Sequence, residues 1–298
     1  MTNDARKLLG NIGVWSPTDH LDAAQLRDFA RKLEGWGYGA LWQPEAVGRD
    51  PFATIAYLAG QTERLTFATG IANIYARDAT SMKALQYTLS GFLPRRFVLG
   101  LGVSHAPLVS NVRGHEYKKP VATMREYLAA VEKALYRGPA PAEAAPIVLA
   151  ALRPAMLELA KSAARGVHPY LVPVEHTRRA RALLGPETWL CPEQKVLAIT
   201  NASEARAVAR KTLKIYLGLP NYLRNLRDFG FDDADFANDG SDRLVDALVA
   251  WGDERTIRER IQAHFDAGAD HVCIQALRPD GALGADLELL ETLAPGAA

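Results

Sequence analysis

Short apolar runs alternate with longer segments of helical periodicity along most of this chain. Several runs lack the every-second-residue alternation of a half-exposed strand, which is typical of strands buried on both faces. The pattern therefore predicts eight strands of a parallel sheet. The predicted strands span residues 11–15, 39–43, 65–71, 96–102, 146–151, 166–172, 195–200 and 270–275.

The segments between these runs carry helix signals. In the first of them Leu26, Phe29 and Leu33 lie on one helical face. A residue that can cap a helix, followed three residues later by Glu or Gln, has the spacing of a capping box. This spacing predicts three helix starts, at Asp22 with Gln25, Thr123 with Glu126, and Asn201 with Glu204.

Alternation of strand and helix about eight times predicts an α/β fold of the closed (β/α)8 TIM-barrel type. The longest interruption, about residues 202–250, contains helical patterns and is interpreted as a helical insertion before the last strand. The Pro/Ala-rich stretch 138–146 leads directly into a strand and is interpreted as a loop. We therefore expect one domain over residues 1–298.

Composition narrows the function. The formal net charge of +1 favours neither nucleic acid nor an anionic membrane surface as a partner. Residues 1–10 hold no long apolar segment, and no run reaches the ~18 apolar residues of a membrane span, so a cytoplasmic location is expected. Cys191 and Cys273 form no metal-type or redox pair, and no metal site is expected.

Common catalytic motifs are absent. GLGVSH places His105 where a dinucleotide-binding loop has its third glycine, and no Walker-type loop, HExxH or Gly-x-Ser-x-Gly occurs. In a closed barrel the active face lies at the carboxyl ends of the strands. The candidates are therefore polar or aromatic residues at predicted strand ends, among them Trp15, Glu45, Asn73, His105, Arg153 and His168.

Several stretches resemble one family. GYGALWQPEAVGRDPF, LTFATGIANIYARDA, FLPRRFVLGLGVSHAP and LAALRPAMLELA are similar to successive strands of the luciferase-like flavin and deazaflavin oxidoreductases. PEAVGR, LPNYLRNLRDFGF and DALVAWGDE resemble an actinobacterial subgroup assigned to coenzyme F420. The resemblance implies an oxidoreductase that transfers a hydride between F420 and a small organic substrate. Two alternatives stay open, an FMN-dependent monooxygenase and a non-catalytic flavin- or deazaflavin-binding protein.

The resemblance also implies a place for the cofactor ring. Family members carry a non-prolyl cis peptide bond late in the third strand, and the matching bond here joins Gly70 and Ile71. An ordinary buried strand end is the alternative. The residues expected beside the ring are Gly70, Ile71, Ala72, Asn73, Gly102 and Val103.

The residues that handle the proton in the resembling family are only partly present in this sequence. Many deazaflavin members have Asp-His after the second strand, where this sequence has Glu45-Ala46. Some members place a glutamate after the fourth strand, where this sequence has His105. An imidazole with a pKa near ~6.5 exchanges protons at neutral pH. His105 is therefore expected as general acid/base, with Glu45 as its electrostatic or proton partner; simple contact of His105 with the cofactor is the alternative.

The remaining expectations concern the cofactor phosphate and the substrate. Related enzymes hold a phosphate at the turn after the fifth strand, usually with glycines, and helix N-termini suit anions. This assigns the phosphate to Leu152, Arg153, Ala155 and Met156. The expected lining of the substrate pocket is Trp15, His168, Tyr170 and His176, although buried structural histidines fit equally well. The family resemblance also suggests a homodimer.

Overall fold

The computed structural model describes residues 4–296 and shows a barrel of parallel strands with eight strand positions around its circumference. The strands are β1 Ile12–Trp15, β2 Ala40–Gln43, β3 Thr66–Thr69, β4 Ala72–Asn73, β5 Phe97–Gly102, β6 Ile147–Leu149, β7 Gly166–Val167, β8 Trp189–Leu190, β9 Glu193–Leu197, β10 Val249–Trp251 and β11 Val272–Ala276. In the sheet, neighbouring strands follow the order β1, β2, β3, β5, β6, β7 and β8. β9 follows β8 along the chain and pairs with β11, which pairs with β1 and closes the barrel.

Helices cover the outside of the barrel. Their apolar faces pack on the outward-facing strand residues, as do Leu26, Phe29 and Leu33 of the helix Ala23–Gly35. The helices are α1 Ala5–Leu9, α2 Ala23–Gly35, α3 Pro51–Ala59, α4 Ala79–Phe92, α5 Pro120–Lys133, α6 Pro154–Ala163, α7 Val174–Leu184, α8 Ala202–Leu217, α9 Pro220–Arg227, α10 Asp233–Phe236, α11 Asp242–Leu248, α12 Glu254–Asp266 and α13 Leu287–Thr292. The predicted TIM-barrel class is confirmed.

The barrel interior is filled by side chains rather than by a channel. Toward the amino end of the strands, Trp42 and Trp189 pack with small residues of the neighbouring strands. Helix α1 lies across the amino end, where the Leu8 carbonyl accepts a hydrogen bond from Thr66 Oγ1 at 2.7 Å. Functional groups are therefore left to the opposite, carboxyl end of the strands.

Residues 202–250 form helices α8 to α11 and the short strand β10. Their apolar faces build a second cluster that includes Leu213, Tyr222 and Leu244. β10 pairs in parallel with β9, so this segment extends the sheet as well as covering it. The segment reaches the carboxyl end of the barrel through the corner between α8 and α9.

Two local predictions were wrong. The seventh strand, expected at 195–200, is instead β8 and β9, because polar residues of this strand point into the barrel and interrupt the apolar run. Thr123 does not cap a helix; α5 begins at Pro120, and Thr123 Oγ1 donates to the Lys118 carbonyl at 2.8 Å. The caps at Asp22 and Asn201 are confirmed by their side-chain hydrogen bonds.

Candidate active site

Glycines make a close seam between β3 and β5 at the carboxyl end of the barrel. The Gly70–Ile71 peptide bond is cis, as expected, and Trp15 Nε1 donates to the Gly70 carbonyl at 2.6 Å. A Cβ on Gly100 would lie 1.9 Å from the Thr69 carbonyl oxygen, and one on Gly102 would lie 2.3 Å from Ile71 Cδ1. The glycines of β5 are thus required first by the neighbouring strand.

Asn73 ends β4 at this seam and is fully buried. Its Oδ1 accepts from the Tyr75 backbone N–H at 2.9 Å, and its own backbone N–H donates to Glu45 Oε2 at 2.8 Å. Its Nδ2 has no hydrogen-bond partner among residues 4–296. A buried amide donor without an acceptor is costly, and such a group points to a missing partner.

Glu45 is held by an ion pair instead of facing His105. Both of its carboxylate oxygens accept from Arg77 Nη1, at 2.7 and 2.9 Å, and only 6% of its side chain is exposed. Arg77 also pairs with Asp50 at the start of α3. Glu45 therefore fixes the backbone at Asn73 and neutralises Arg77. Its hydrogen bonds in the described part of the chain go to these groups and not to His105, so its role as an electrostatic partner of His105 stays a prediction.

His105 lies just beyond the end of β5 and is half-buried. Its Nδ1 is 3.0 Å from Asn221 Oδ1 of α9, and its ring lies 5.3 Å from the ring of Tyr222. Burial lowers the pKa of His105 below the ordinary value of 6.5, and the contact with Asn221 opposes this shift. The imidazole is therefore neutral at pH 7, the form that accepts a proton.

A buried ion pair and a group of tyrosines occupy the side of the barrel facing the seam. Lys195 Nζ is 3.1 Å from Glu193 Oε1 on the same strand, and neither side chain is more than 1% exposed. The ammonium lies 3.9 Å above the ring of Tyr170. The Tyr170 hydroxyl donates to Gln275 Oε1 at 3.0 Å and lies 2.7 Å from the Tyr216 hydroxyl.

Aromatic contacts link the ion pair and its tyrosines to the seam. Trp15 and Tyr170 have ring centroids 4.9 Å apart, and Tyr222 contacts both Tyr216 and His105. Of the predicted substrate residues, Trp15 and Tyr170 therefore lie together at the carboxyl end of the barrel.

The other two predicted substrate residues are core histidines. His168 is stacked on Trp42 with ring centroids 4.4 Å apart, and its Nδ1 donates to the Cys191 carbonyl at 2.8 Å. His176 on α7 donates from Nε2 to the Leu152 carbonyl at 2.7 Å. Burial lowers the pKa of each to about 4. Both fit the interpretation as neutral structural histidines.

The start of α6 holds the predicted phosphate residues. Arg153 is the N-cap residue but makes no side-chain cap bond, and Pro154 has no N–H, so the Ala155 N–H is the first-turn donor that the cap leaves open. Arg153 Nε is 3.4 Å from Asp228 Oδ2 of the insertion, and both side chains are partly exposed. Ala155 and Met156 lie in the first turn, where Met156 N–H donates to the Arg153 carbonyl.

Sequence reasoning missed five residues of this region. The expected strand began at residue 195, so Glu193 lay outside it and Lys195 had no visible partner. Charged residues two apart in an otherwise apolar strand are a usable signal, since they share one face. Tyr216, Asn221 and Tyr222 lie in the insertion, where no periodic pattern relates a residue to the barrel.

Other features of the molecule bear on the choice of site. A surface cavity of about 670 Å³ lies between α2 and the loop after β11, and Arg278 on its rim is already paired with Asp280. Within residues 4–296 no group of His, Cys, Asp or Glu side chains could hold a metal ion, and no helix is long and apolar enough to cross a membrane. The convergence of His105, Asn73 and the tyrosines places the candidate active site at the barrel end.

A family model described as luciferase-like monooxygenase matches residues 8–271. The chain belongs to this family. A putative coenzyme F420-dependent oxidoreductase of Mycobacterium tuberculosis is 27% identical to this luciferase-like protein over 172 residues, which cover 58% of the chain and 46% of that relative. The chain thus matches less than half of the length of this curated relative.

Two solved structures show the same fold. The F420-dependent tetrahydromethanopterin reductase from Methanopyrus kandleri has a TM-score of 0.75 with 16% identity, and the match covers 96% of this chain and 97% of that chain. The oxygenating constituent of 3,6-diketocamphane monooxygenase from Pseudomonas putida, in complex with FMN, has a TM-score of 0.66 with 16% identity, over 97% and 98% of the two chains. This luciferase-like fold therefore occurs with either cofactor.

Proposed function

We propose that this protein is an oxidoreductase that transfers a hydride between coenzyme F420 and a small organic substrate. The observation that carries the proposal is the position of His105, a neutral imidazole at the end of β5, beside the glycine-lined seam of β3 and β5. Family membership and the sequence similarity to an F420-dependent relative support it.

The residues of the seam fit a deazaflavin ring. Asn73 Nδ2 is a buried donor without a partner in the described part of the chain, and a ring carbonyl would supply the acceptor. Gly70 and Gly102 present no side chain beyond the backbone. Ile71, Ala72 and Val103 complete the apolar surroundings. When bound, F420 supplies hydride chemistry at its ring carbon C5.

The start of α6 fits the cofactor phosphate. The Ala155 N–H and the helix dipole favour an anion, and Leu152, Ala155 and Met156 shape the turn. Arg153 adds a positive charge but is engaged with Asp228. A phosphate at this turn would therefore compete with the Asp228 carboxylate for the guanidinium.

His105 is the proposed proton carrier, and its Nε2 is the atom that exchanges the proton with the substrate. Glu45 acts on the cofactor side by holding the Asn73 backbone, rather than as a proton partner. Trp15 and Tyr170 form the aromatic wall on which we place the substrate.

Homodimerisation and a cytoplasmic location stay predictions, which sedimentation and cell fractionation would check.

The decisive experiment is titration of the purified protein with F420 and, separately, with FMN, followed by absorbance. We expect saturable F420 binding in the micromolar range. Asn73→Ala should weaken it roughly tenfold or more, because a buried hydrogen bond is lost. Asn238→Ala, an exposed site in the insertion, is the control and should bind like the wild type. Binding of FMN without binding of F420 would overturn the cofactor assignment.

An FMN-dependent monooxygenase is the second candidate, and the likeness to the FMN-bound monooxygenase structure favours it. It predicts oxygen uptake that depends on both reduced FMN and an organic substrate. The F420 proposal predicts no such uptake, so an oxygen electrode separates the two.

A further inference from the structure

The hydrogen bond between His105 and Asn221 joins the barrel to its insertion at the candidate active site. Asn221 is the second residue of α9, and its side chain is half-buried. The two residues are 116 positions apart in the sequence, yet Asn221 Oδ1 lies 3.0 Å from His105 Nδ1. The next residue, Tyr222, packs its buried ring against the imidazole.

The chemistry of this contact selects one tautomer of His105. An amide oxygen only accepts hydrogen bonds, so the imidazole nitrogen that faces it must carry the proton. The proton of the neutral ring is then on Nδ1, and Nε2 keeps its lone pair. We propose that Asn221 is a positioning residue that holds His105 in the Nδ1–H tautomer and so aims the basic Nε2 at the substrate.

The surroundings of His105 leave this role to Asn221. Two ionisable side chains of the described residues lie next to it: Tyr222 of α9, whose ring packs against the imidazole, and Tyr117, whose hydroxyl donates to the carbonyl of the preceding Ser104 at 3.3 Å. Neither carries a charge at neutral pH. Asn221 is the group whose hydrogen bond opposes the effect of burial on the pKa of His105.

The catalytic meaning of the tautomer rests on the proposed function, whereas the tautomer itself does not. A ring with its proton on Nδ1 accepts the substrate proton at Nε2 without rotating. A ring with its proton on Nε2 has to exchange that proton or turn over first. Loss of Asn221 should therefore lower kcat more than it raises KM.

Two substitutions of Asn221 distinguish the effect of its acceptor oxygen from the effect of its side-chain size. Asn221→Asp keeps an oxygen facing Nδ1 and adds a negative charge, while Asn221→Leu removes the acceptor at similar size. Asn238→Asp is the matched control, because Asn238 is exposed, lies in the same insertion, and has a left-handed backbone that Asp also tolerates.

The experiment is ¹⁵N NMR titration of the His105 ring in the full chain without cofactor. We expect the wild type and Asn221→Asp to carry the proton on Nδ1, and Asn221→Leu to lose that preference. The pKa of His105 should rise by about one unit or more in Asn221→Asp and stay unchanged in Asn238→Asp.

A wild-type ring protonated on Nε2, or a pKa that rises no more in Asn221→Asp than in the control, would overturn the proposal. With F420 and substrate, the acidic limb of the kcat profile should move up in Asn221→Asp by the same amount as the NMR pKa. Lack of F420 turnover in the wild type would count against the proposed function, while the NMR result still decides the role of Asn221.

Discussion

At the scale of single residues, strand packing beside the site requires glycine at positions 100 and 102 of β5. The glycine pair can be read from the sequence, but the reason for it cannot. The sequence suggests space for a flat ring, whereas the structure shows that the Thr69 carbonyl and Ile71 already require that space. His105 could likewise be predicted as a strand-end candidate, but its partner Asn221 could not, because no periodic pattern extends over 116 residues.

Alanine at the two glycines should therefore have unequal effects. Gly100→Ala meets a backbone carbonyl, while Gly102→Ala meets the tip of a flexible side chain. Overpacking lowers the free energy of unfolding by about 1–3 kcal/mol. We expect Gly100→Ala to lose about 3 kcal/mol or more and Gly102→Ala to lose about 1 kcal/mol. Urea denaturation measures both. Gly91→Ala in α4, which has open space around it, should be neutral or slightly stabilising. Equal losses at Gly100 and Gly102 would contradict the packing argument.

Replacement of His105 by alanine should remove the proton carrier. General acid/base groups contribute about 100-fold or more to rate, so kcat with F420 and substrate should fall by at least that factor. For oxidation of the substrate, wild-type kcat should fall as the pH drops through the pKa of His105, which lies below 6.5. This acidic limb should vanish in the variant. His20→Ala, at an exposed histidine, is the control, and unchanged kcat and pH profile in His105→Ala would exclude the role.

At the scale of elements, the seventh strand explains the main failure of sequence reasoning. Strands with continuous apolar runs were found, because burial on both faces leaves a clear pattern. β9 instead begins with Glu193, Gln194 and Lys195, which are polar and fully buried. The ion pair and the Gln194 hydrogen bonds compensate for their burial. The sequence shows that Glu193 and Lys195 share one face of a strand, but the hydrogen bonds of Gln194 depend on the assembled barrel and cannot be read from the sequence.

The buried ion pair should show strong non-additivity. Burial raises the pKa of Glu193 and lowers the pKa of Lys195, while their mutual attraction opposes both shifts. Lys195→Met leaves the buried Glu193 carboxylate without its counter-ion, with the Leu171 N–H still donating to it, and should cost about 3–5 kcal/mol of unfolding free energy. Replacing both residues, as Glu193→Gln with Lys195→Met, should cost less than that single change.

Urea denaturation of the single and double variants gives this coupling directly. Lys214→Met is the matched control, since Lys214 pairs with Asp239 in an exposed position and should cost under about 1 kcal/mol. Strictly additive losses at Glu193 and Lys195 would show that the two charges do not stabilise each other.

At the scale of the whole molecule, buried neutral histidines connect the barrel with its outer helices. His271 accepts a hydrogen bond from Trp42 Nε1 at 3.1 Å and donates from Nδ1 to the Gly10 carbonyl. His264 on α12 donates to Gln194 of β9 and accepts from Thr177 of α7. Each ring is satisfied as the neutral tautomer, and a second proton would break one of these bonds.

Acid should therefore destabilise the whole fold. Burial lowers the pKa of His168, His176 and His271 to about 4 and that of His264 to about 3. Between pH 6.5 and about 4 the unfolded chain binds more protons, so stability falls as the pH falls. A shift from 6.5 to about 4 corresponds to about 3 kcal/mol for each of His168, His176 and His271, and the larger shift of His264 corresponds to about 5 kcal/mol. Together these contributions approach the whole stability of a typical domain.

Thermal unfolding measured from pH 7.5 to pH 4.5 checks this prediction. We expect the Tm to hold down to about pH 6.5 and then to decline steeply. A Tm that is constant from pH 7 to pH 5 would show that these histidines are not held neutral by the fold. The low formal net charge of +1 makes general charge repulsion a small contributor at the upper end of this range.

The contact between His105 and Asn221 also has an evolutionary consequence. The barrel supplies the imidazole, while the residue that orients it comes from a segment outside the eight strand–helix units. Substitutions accumulating in that segment can retune the basicity of the histidine without disturbing a single barrel strand. Divergence of function among proteins that share this barrel can thus proceed in the insertion, away from the strand ends themselves.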